Sequence, residues 1–204
     1  MERGKFIVFE GTDGTGKSTN ARRAAEYLEG QGVPCLLTCE PTDGEIGKLL
    51  RRFLKGEIEA NEKAVAALFL ADRLDHITKK GGLLDALNAG TTVICDRYYL
   101  SSVAYNCPGE SAEYVAELNR AALDLLSPDL TVYLDMPLEK LAERISKRDT
   151  TEIYETLEYQ RKVKQRYEQG LALSRGKVLR VNSNRDRLIV QAEIRAKIKE
   201  FLEL

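Results

Sequence analysis

The chain has 204 residues, 31 of them lysine or arginine and 32 aspartate or glutamate, so its formal net charge at pH 7 is -1. A content of 43% hydrophobic and 31% charged residues is typical of a globular protein and excludes a disordered one. The balanced charge also argues against a nucleic-acid partner, because such binding favours a strongly basic face.

Short apolar runs alternate with longer helical patterns along the chain. The run from Phe6 to Phe9 is a continuous apolar tetrad, which predicts a strand buried on both faces. Further strands are predicted at 33–38, 91–95 and 130–134, a weaker one at 177–181, and helices at 17–29, 46–54, 62–80 and 187–202. Strands separated by helices form βαβ units, so we expect a five-stranded parallel sheet flanked by helices, with residues 1–204 forming a single domain.

The cysteines and the apolar stretches exclude several classes of protein. Cys35, Cys39, Cys95 and Cys107 form no CxxC pair, and the chain has one histidine, so a zinc site would lack ligands. Unpaired cysteines of this kind are typical of a reducing compartment. The longest wholly apolar stretch, from Ala64 to Ala71, is far shorter than the roughly 20 residues that span a bilayer. We therefore expect a cytoplasmic protein without a signal peptide and without a membrane partner.

Residues 11–18, Gly-Thr-Asp-Gly-Thr-Gly-Lys-Ser, match the phosphate-loop pattern GxxxxGK[ST]. The match lies between a predicted buried strand and a predicted helix, which is the context that this motif requires. The pattern predicts a P-loop NTPase fold in which Lys17 reaches the β- and γ-phosphates of a nucleoside triphosphate and Ser18 coordinates Mg²⁺. The residues expected to bind ATP are Gly11, Thr12, Asp13, Gly14, Thr15, Gly16, Lys17, Ser18 and Thr19.

A second candidate carboxylate follows the predicted strand at 91–95. Asp96 would lie at the carboxyl edge of the sheet, where ligands bind in such folds, and Arg97 comes next in the chain. We interpret Asp96 as a second Mg²⁺ ligand and Arg97 as a phosphate-binding residue, and an ordinary surface ion pair is the alternative. The chain has no guanine-reading NKxD segment and is too short for a large motor, which favours a compact kinase of small molecules.

The segment from Arg144 to Thr151 is rich in Arg, Lys and Asp and lies between two helical patterns. It is too polar for a core, so we interpret it as part of a short basic lid at about residues 144–153. The alternative interpretation is a solvated basic helix end.

Four groups of residues, taken together, resemble the thymidylate (dTMP) kinase family. The phosphate loop is similar to the family's FEGxDGxGKST, and residues 68–73 (LFLADR) are similar to its LFxAxR helix. Residues 96–98 (DRY) with 101–105 (SSVAY) are similar to its DR[YH] segment and the continuation of that segment. Residues 154–155 with 159–167 are similar to the helix after its lid. The similarity covers nearly the whole chain in the same order, which is far more specific than any single motif.

The resemblance implies transfer of the γ-phosphoryl group of ATP-Mg²⁺ to dTMP, giving dTDP and ADP. Asp13 would orient the acceptor near its 3′-hydroxyl, Phe69 would stack on thymine, and Arg73 would donate to a base carbonyl. Residues 69 and 73 share one helical face, so a base can contact both, although Phe69 could instead belong to the core. The residues implied to bind the acceptor are Asp13, Glu40, Phe69, Arg73, Arg97, Ser101, Ser102 and Tyr105.

The resemblance also implies where the catalytic charge comes from. Gly14 stands where some family members have an arginine, so the basic segment would supply the guanidinium groups instead. The implied catalytic residues are Lys17, Asp13, Asp96, Arg97, Arg144, Lys147 and Arg148, and the implied metal ligands are Ser18 and Asp96. The phosphate of the acceptor is already anionic, so no general base is needed, and His76 lies outside every motif.

One departure and several alternatives remain open at this point. Cys39 stands where the family often has an arginine, which removes a charge and a forked set of donors. The run from Ala64 to Ala71 is apolar all round, and the family's homodimers would cover part of it, whereas burial within one chain is the alternative. Other functions compatible with the motifs are a kinase for another nucleoside monophosphate, a deoxynucleoside kinase with Glu40 as its base, and a catalytically silent nucleotide sensor.

Overall fold

The computed structural model describes residues 2–107, 109–146 and 153–204 of the chain. The described strands form one five-stranded sheet in the order β2-β3-β1-β4-β5, and every neighbouring pair is parallel. This confirms the predicted α/β fold of the P-loop NTPase type. The strands are β1 (Phe6–Glu10), β2 (Cys35–Cys39), β3 (Thr92–Asp96), β4 (Leu130–Asp135) and β5 (Lys177–Asn182).

Helices cover both faces of the sheet and connect its strands. The described helices are α1 (Lys17–Gly30), α2 (Glu45–Leu54), α3 (Glu62–Thr78), α4 (Leu83–Asn88), α5 (Tyr99–Tyr105), α6 (Ala112–Leu118), α7 (Arg120–Leu125), α8 (Leu138–Ser146), α9 (Ile153–Ala172) and α10 (Arg187–Leu202). The five strands and the four helices predicted from apolar patterns are confirmed. No described helix has both the length and the apolar character needed to cross a membrane.

The central strand β1 explains the apolar tetrad, because its alternate side chains enter two different cores. Phe6 and Val8 pack in one core, built mainly with α3 to α7 and α9, and Ile7 and Phe9 pack in the other, built with α1 and α10. All four side chains are at most 1% exposed. Burial on both faces is what removes polar residues from such a strand.

Helix α3 turns a polar surface inward and leaves part of its apolar surface uncovered. Asp72, Arg73 and His76 are buried, whereas Ala64 and Ala67 are exposed. The apolar run is therefore not fully buried within a single chain. Whether a partner subunit covers the remainder stays a prediction.

Candidate active site

The phosphate loop, residues 11–16, joins the end of β1 to the start of α1. Gly11, Gly14 and Gly16 have φ angles of 145°, 84° and 91°, values that residues with a β-carbon rarely adopt. A β-carbon at Gly11 would also lie 2.6 Å from the carbonyl oxygen of Leu134 in β4. The glycines therefore allow the loop to curl against the sheet and to lead directly into the helix N-terminus, which favours anions.

Lys17 is the first residue of α1, and its side chain is only 5% exposed. Its Nζ atom donates to the carbonyl oxygen of Thr12 at 2.9 Å and lies 3.6 Å from Oδ1 of Asp13. Burial lowers the pKa of Lys17 to about 8, and the nearby Arg97 guanidinium acts in the same direction. The ammonium group is thus largely dehydrated and held by oxygen atoms of the loop, which an incoming phosphate can replace.

Asp96 and Ser18 supply the oxygen atoms expected to hold a divalent ion. Asp96 ends β3 opposite Phe9 of β1, and its Oδ1 atom is buried without a hydrogen-bond partner among the described residues. Ser18 is exposed in the first turn of α1. In the described part of the chain, no group of three or more His, Cys, Asp or Glu residues could hold a metal. These two residues fit Mg²⁺, which prefers oxygen ligands and usually shares its coordination with substrate phosphates.

A cavity of about 440 Å³ lies beside the phosphate loop. All eight residues predicted to contact the acceptor line it, namely Asp13, Glu40, Phe69, Arg73, Arg97, Ser101, Ser102 and Tyr105. Phe69 is half-buried in this wall and belongs to neither of the two cores. The structure thus brings the predicted residues together, while the role of each of them remains a prediction.

At one end of this cavity, Arg73 is only 1% exposed and is held by four side chains. Its Nε atom donates to Oε2 of Glu40 at 2.8 Å, one terminal nitrogen donates to the Ser102 hydroxyl at 3.1 Å, and the other donates to Oδ1 of Asn119. The guanidinium also lies over the ring of Tyr98, 4.9 Å from its centroid. These contacts use three of the five N–H donors of the arginine, and the remaining two can donate to a ligand.

At the end of the cavity next to the phosphate loop, Arg97 connects several predicted site residues. Its guanidinium donates to Oδ1 of Asp13 and to the Ser101 hydroxyl, the latter at 3.2 Å, and lies 5.2 Å from the ring centroid of Tyr105. Burial alone would raise the pKa of Asp13, but the nearby Arg97 and Lys17 charges hold it below its usual value. Arg97 has a positive φ of 72°, so its backbone is held in a costly conformation that aims the side chain at the loop.

Glu10 is a residue of this site that the sequence analysis missed. It ends β1, is fully buried, and accepts hydrogen bonds from the backbone N–H groups of Tyr98 and Ser101 at 2.8 and 3.1 Å. The hydroxyl groups of Ser101 and Tyr167 donate to its Oε2 atom at 2.6 and 3.1 Å. Burial raises the pKa of Glu10. The sequence places this carboxylate at the end of an apolar run and inside the FEG motif, but its partners lie about 90 and 157 residues away along the chain, so its role there could not be predicted.

Replacing Glu10 with glutamine should change how the stability of the protein depends on pH. Because the pKa of Glu10 is raised above 4.5 in the folded state, the native protein holds more protons than the unfolded one just above that pH. The stabilisation from Glu10 is therefore present below pH 4.5 and is lost as the pH rises through the folded-state pKa, by about 1.4 kcal/mol for each pH unit that separates the folded and unfolded pKa values. Urea denaturation of both proteins between pH 4.5 and 8 measures this difference. For the exposed control Glu59→Gln, the difference in unfolding free energy from wild type should not change with pH. A difference that is equally independent of pH for Glu10→Gln would contradict the prediction.

The segment after β2 carries the departure at Cys39. The thiol is half-buried, its Sγ lies 3.8 Å from the carbonyl oxygen of Pro41, and burial raises its pKa. A guanidinium group is nevertheless present at this segment, because Arg51 of α2 donates to the carbonyl oxygens of Pro41 (2.7 Å) and Thr42. The same guanidinium lies 3.1 Å from the Asp43 carboxylate and does not line the cavity, so its described contacts hold the backbone of this segment.

Of the predicted catalytic residues in the basic segment, Arg144 alone lies among the described residues. Arg144 is exposed, donates to the carbonyl oxygen of Ser183 at 3.2 Å, and does not line the cavity. Lys147 and Arg148 lie outside the described residues. A further missed residue is Asn106, which lines the cavity and has a buried Nδ2 atom without a partner in the described chain, so it can donate to a ligand.

Comparisons with known proteins place the chain in one enzyme family. A sequence profile described as thymidylate kinase matches residues 9–194. A curated Pyrococcus horikoshii protein, named "Probable thymidylate kinase", is 44% identical over 81% of this chain and 82% of its own length. One from Methanococcus aeolicus with the same name is 41% identical over 80% of this chain and 77% of its own. A Treponema pallidum relative, also named as a thymidylate kinase, is 35% identical over 98% of this chain and 97% of its own.

Proposed function

The chain belongs to the thymidylate kinase family, and from this premise we propose how its residues perform the reaction. The protein phosphorylates dTMP at the expense of ATP. The finer proposals concern the ion, the roles of single residues, the oligomer and the compartment.

The observation that carries the proposal is the presence of two guanidinium groups in one cavity. Arg73, beside Glu40 and Ser102, keeps two donors for a base carbonyl, and Arg97, beside Asp13 and the phosphate loop, suits a phosphate. A nucleoside monophosphate carries a base carbonyl at one end and a phosphate at the other. An acceptor bound in this way would present its phosphate to the nucleotide held by the phosphate loop.

Transfer in this site depends on alignment and on charge. The phosphate oxygen of the acceptor is already a nucleophile, so the chain has only to hold it in line and to neutralise the charge on the transferring group. Lys17 would contact the β- and γ-phosphates, while Ser18 and Asp96 would hold Mg²⁺, which supplies further neutralisation when it is bound. Arg144, Lys147 and Arg148 remain proposed donors of additional positive charge.

A coupled ADP-release assay tests this proposal with ATP-Mg²⁺ and six acceptors: dTMP, dUMP, dGMP, dCMP, UMP and thymidine. We expect a strong preference for dTMP, as membership of the family implies, and Arg73 gives a physical reason against dCMP, because it favours a base carbonyl over the amino group of cytosine. Thymidine should not be phosphorylated, since both oxygens of Glu40, the candidate base, are engaged by Arg73 and His76. Preference for another acceptor would contradict the assignment of dTMP as the substrate and leave the assignment of the fold unchanged.

Two further proposals concern the oligomeric state and the compartment. We propose a homodimer packed through α3, supported by the exposed Ala64 and Ala67 on that otherwise apolar stretch. Light scattering at twice the mass of the chain is the expected result, and a monomer at micromolar concentration would contradict it. The four free cysteines support a cytoplasmic location.

A further inference from the structure

His76 is the only histidine of the chain, and it is buried one helical turn after Arg73 on α3. Its two ring nitrogens both have partners: Nδ1 lies 3.2 Å from Oε1 of Glu40, and Nε2 lies 2.9 Å from the Thr38 hydroxyl. The ring does not line the cavity, and the mechanism proposed above does not use it. A buried, fully partnered imidazole beside the site therefore needs an explanation.

The partners of Glu40 determine which nitrogen of His76 carries the proton. Oε2 of Glu40 accepts from Nε of Arg73 at 2.8 Å, so the carboxylate faces a guanidinium and acts only as an acceptor. Nδ1 of His76 is then the donor to Oε1, and the hydroxyl of Thr38 is the partner of Nε2. Hydrogen bonds thus connect Thr38 through His76 to Glu40, whose carboxylate accepts from His76 on one oxygen and from Arg73 on the other.

We propose that His76 is a positioning residue for base recognition, because it holds the carboxylate that orients Arg73. This proposal rests on the proposed function, in which Arg73 reads a base carbonyl. His76 thereby acts on the substrate through Glu40 and Arg73, and Thr38 acts through all three, while neither contacts the substrate. A ligating side chain oriented from behind by a second hydrogen-bonded residue is a recurring arrangement in protein sites.

The burial of the cluster explains why loss of the contact between His76 and Glu40 would change how the base is bound. Glu40 and Arg73 are both almost completely buried, so Oε1 cannot replace a lost donor with bulk water. Asp72, the neighbouring charged residue, cannot supply the lost donor, because a carboxylate only accepts; its own oxygens accept from the backbone N–H and the hydroxyl of Thr42 at 2.7 and 2.6 Å. The Glu40 carboxylate would turn to find another donor, and the Nε anchor of Arg73 would turn with it.

Two substitutions of His76 form a matched test. In His76→Asn the amide nitrogen can occupy the place of Nδ1 and still donate to Glu40, whereas in His76→Gln it lies near the place of Nε2. We expect the asparagine variant to keep KM for dTMP within about twofold of wild type. The glutamine variant should raise KM about tenfold with little change in kcat, and should lower the preference for dTMP over dCMP by a similar factor.

Thermal unfolding of both variants separates this role from a purely structural one. The two variants should melt at similar temperatures, because they remove the same ring and leave similar volumes. Equal KM values and equal base preferences in the two variants would overturn the proposal. The same holds if only the melting temperature, and no kinetic constant, differs from wild type.

A spectroscopic measurement tests the proton assignment without any substrate. Since the chain has one histidine, a long-range ¹H–¹⁵N spectrum of the labelled wild-type protein contains a single pair of ring-nitrogen signals. We expect a proton on Nδ1, the nitrogen that faces Glu40, and a proton on Nε2 alone would overturn the role of His76 whatever the acceptor is. Absence of turnover with dTMP would overturn the proposed function instead, so the two failures are distinguishable.

Discussion

Replacing Lys17 with methionine should lower kcat for phosphoryl transfer by about a hundred- to a thousandfold. The Nζ atom is a buried cation at the start of α1, where it can stabilise the negative charge that develops on the transferring phosphate. Removal of one preorganised donor of this kind typically costs this much in rate. Steady-state assays with saturating ATP and dTMP measure the effect, with the exposed Lys48→Met variant as a control of unchanged kcat. Normal turnover in Lys17→Met would exclude Lys17 from the reaction.

The same substitution should raise the stability of the ligand-free protein. Burial lowers the pKa of Lys17 from 10.5 to about 8, which corresponds to a cost of about 3 kcal/mol for keeping the ammonium charged at neutral pH. Methionine has no charge to desolvate, so the free energy of unfolding at pH 7 should increase. As the pH rises from 8 to 10.5, the unfolded wild type binds more protons than the native state, so the stability of wild type should rise towards that of the variant. Urea denaturation at pH 7 and pH 10 tests both statements.

Replacing Arg97 with methionine should raise KM for dTMP about 10- to 100-fold and leave KM for ATP nearly unchanged. The guanidinium lies at the loop end of the cavity, and a charge-assisted contact with a phosphate contributes about 1.5–3 kcal/mol. Binding of thymidine, which has no phosphate, should be nearly unchanged in the same variant. The exposed Arg23→Met variant is a matched control. A fall in kcat at unchanged KM would instead place Arg97 in the transition state alone.

The parts of the fold that the sequence predicts well are those in which local pattern and burial coincide. The tetrad from Phe6 to Phe9 and the glycine loop after it predict β1, the loop and α1, because two-sided burial excludes polar residues from that strand. The pattern at β5 is weaker since this strand is at the edge of the sheet and is largely exposed. Helices α4 to α7 have only six or seven residues each, which is too short for a helical period to show.

The site was predictable only where a motif records it. The phosphate loop and the Asp96-Arg97 pair follow strand ends, so topology alone places them at one edge of the sheet. Glu10 and His76 were given no role in the sequence, because their roles depend on partners far away along the chain. A buried carboxylate or imidazole is tolerated only with those partners, and no local spacing reveals them.

The position of Asp13 has a consequence for how the two substrates influence each other. Its carboxylate contacts Lys17 on the side of the phosphate loop, at 3.6 Å, and Arg97 on the side of the cavity. When a substrate phosphate binds Lys17 or Arg97, Asp13 pairs more strongly with the cation that remains. The affinity for one substrate therefore depends on whether the second substrate is already bound. Linkage requires this dependence to be equal in both directions. One shared carboxylate therefore couples the binding of donor and acceptor, without any movement of the fold.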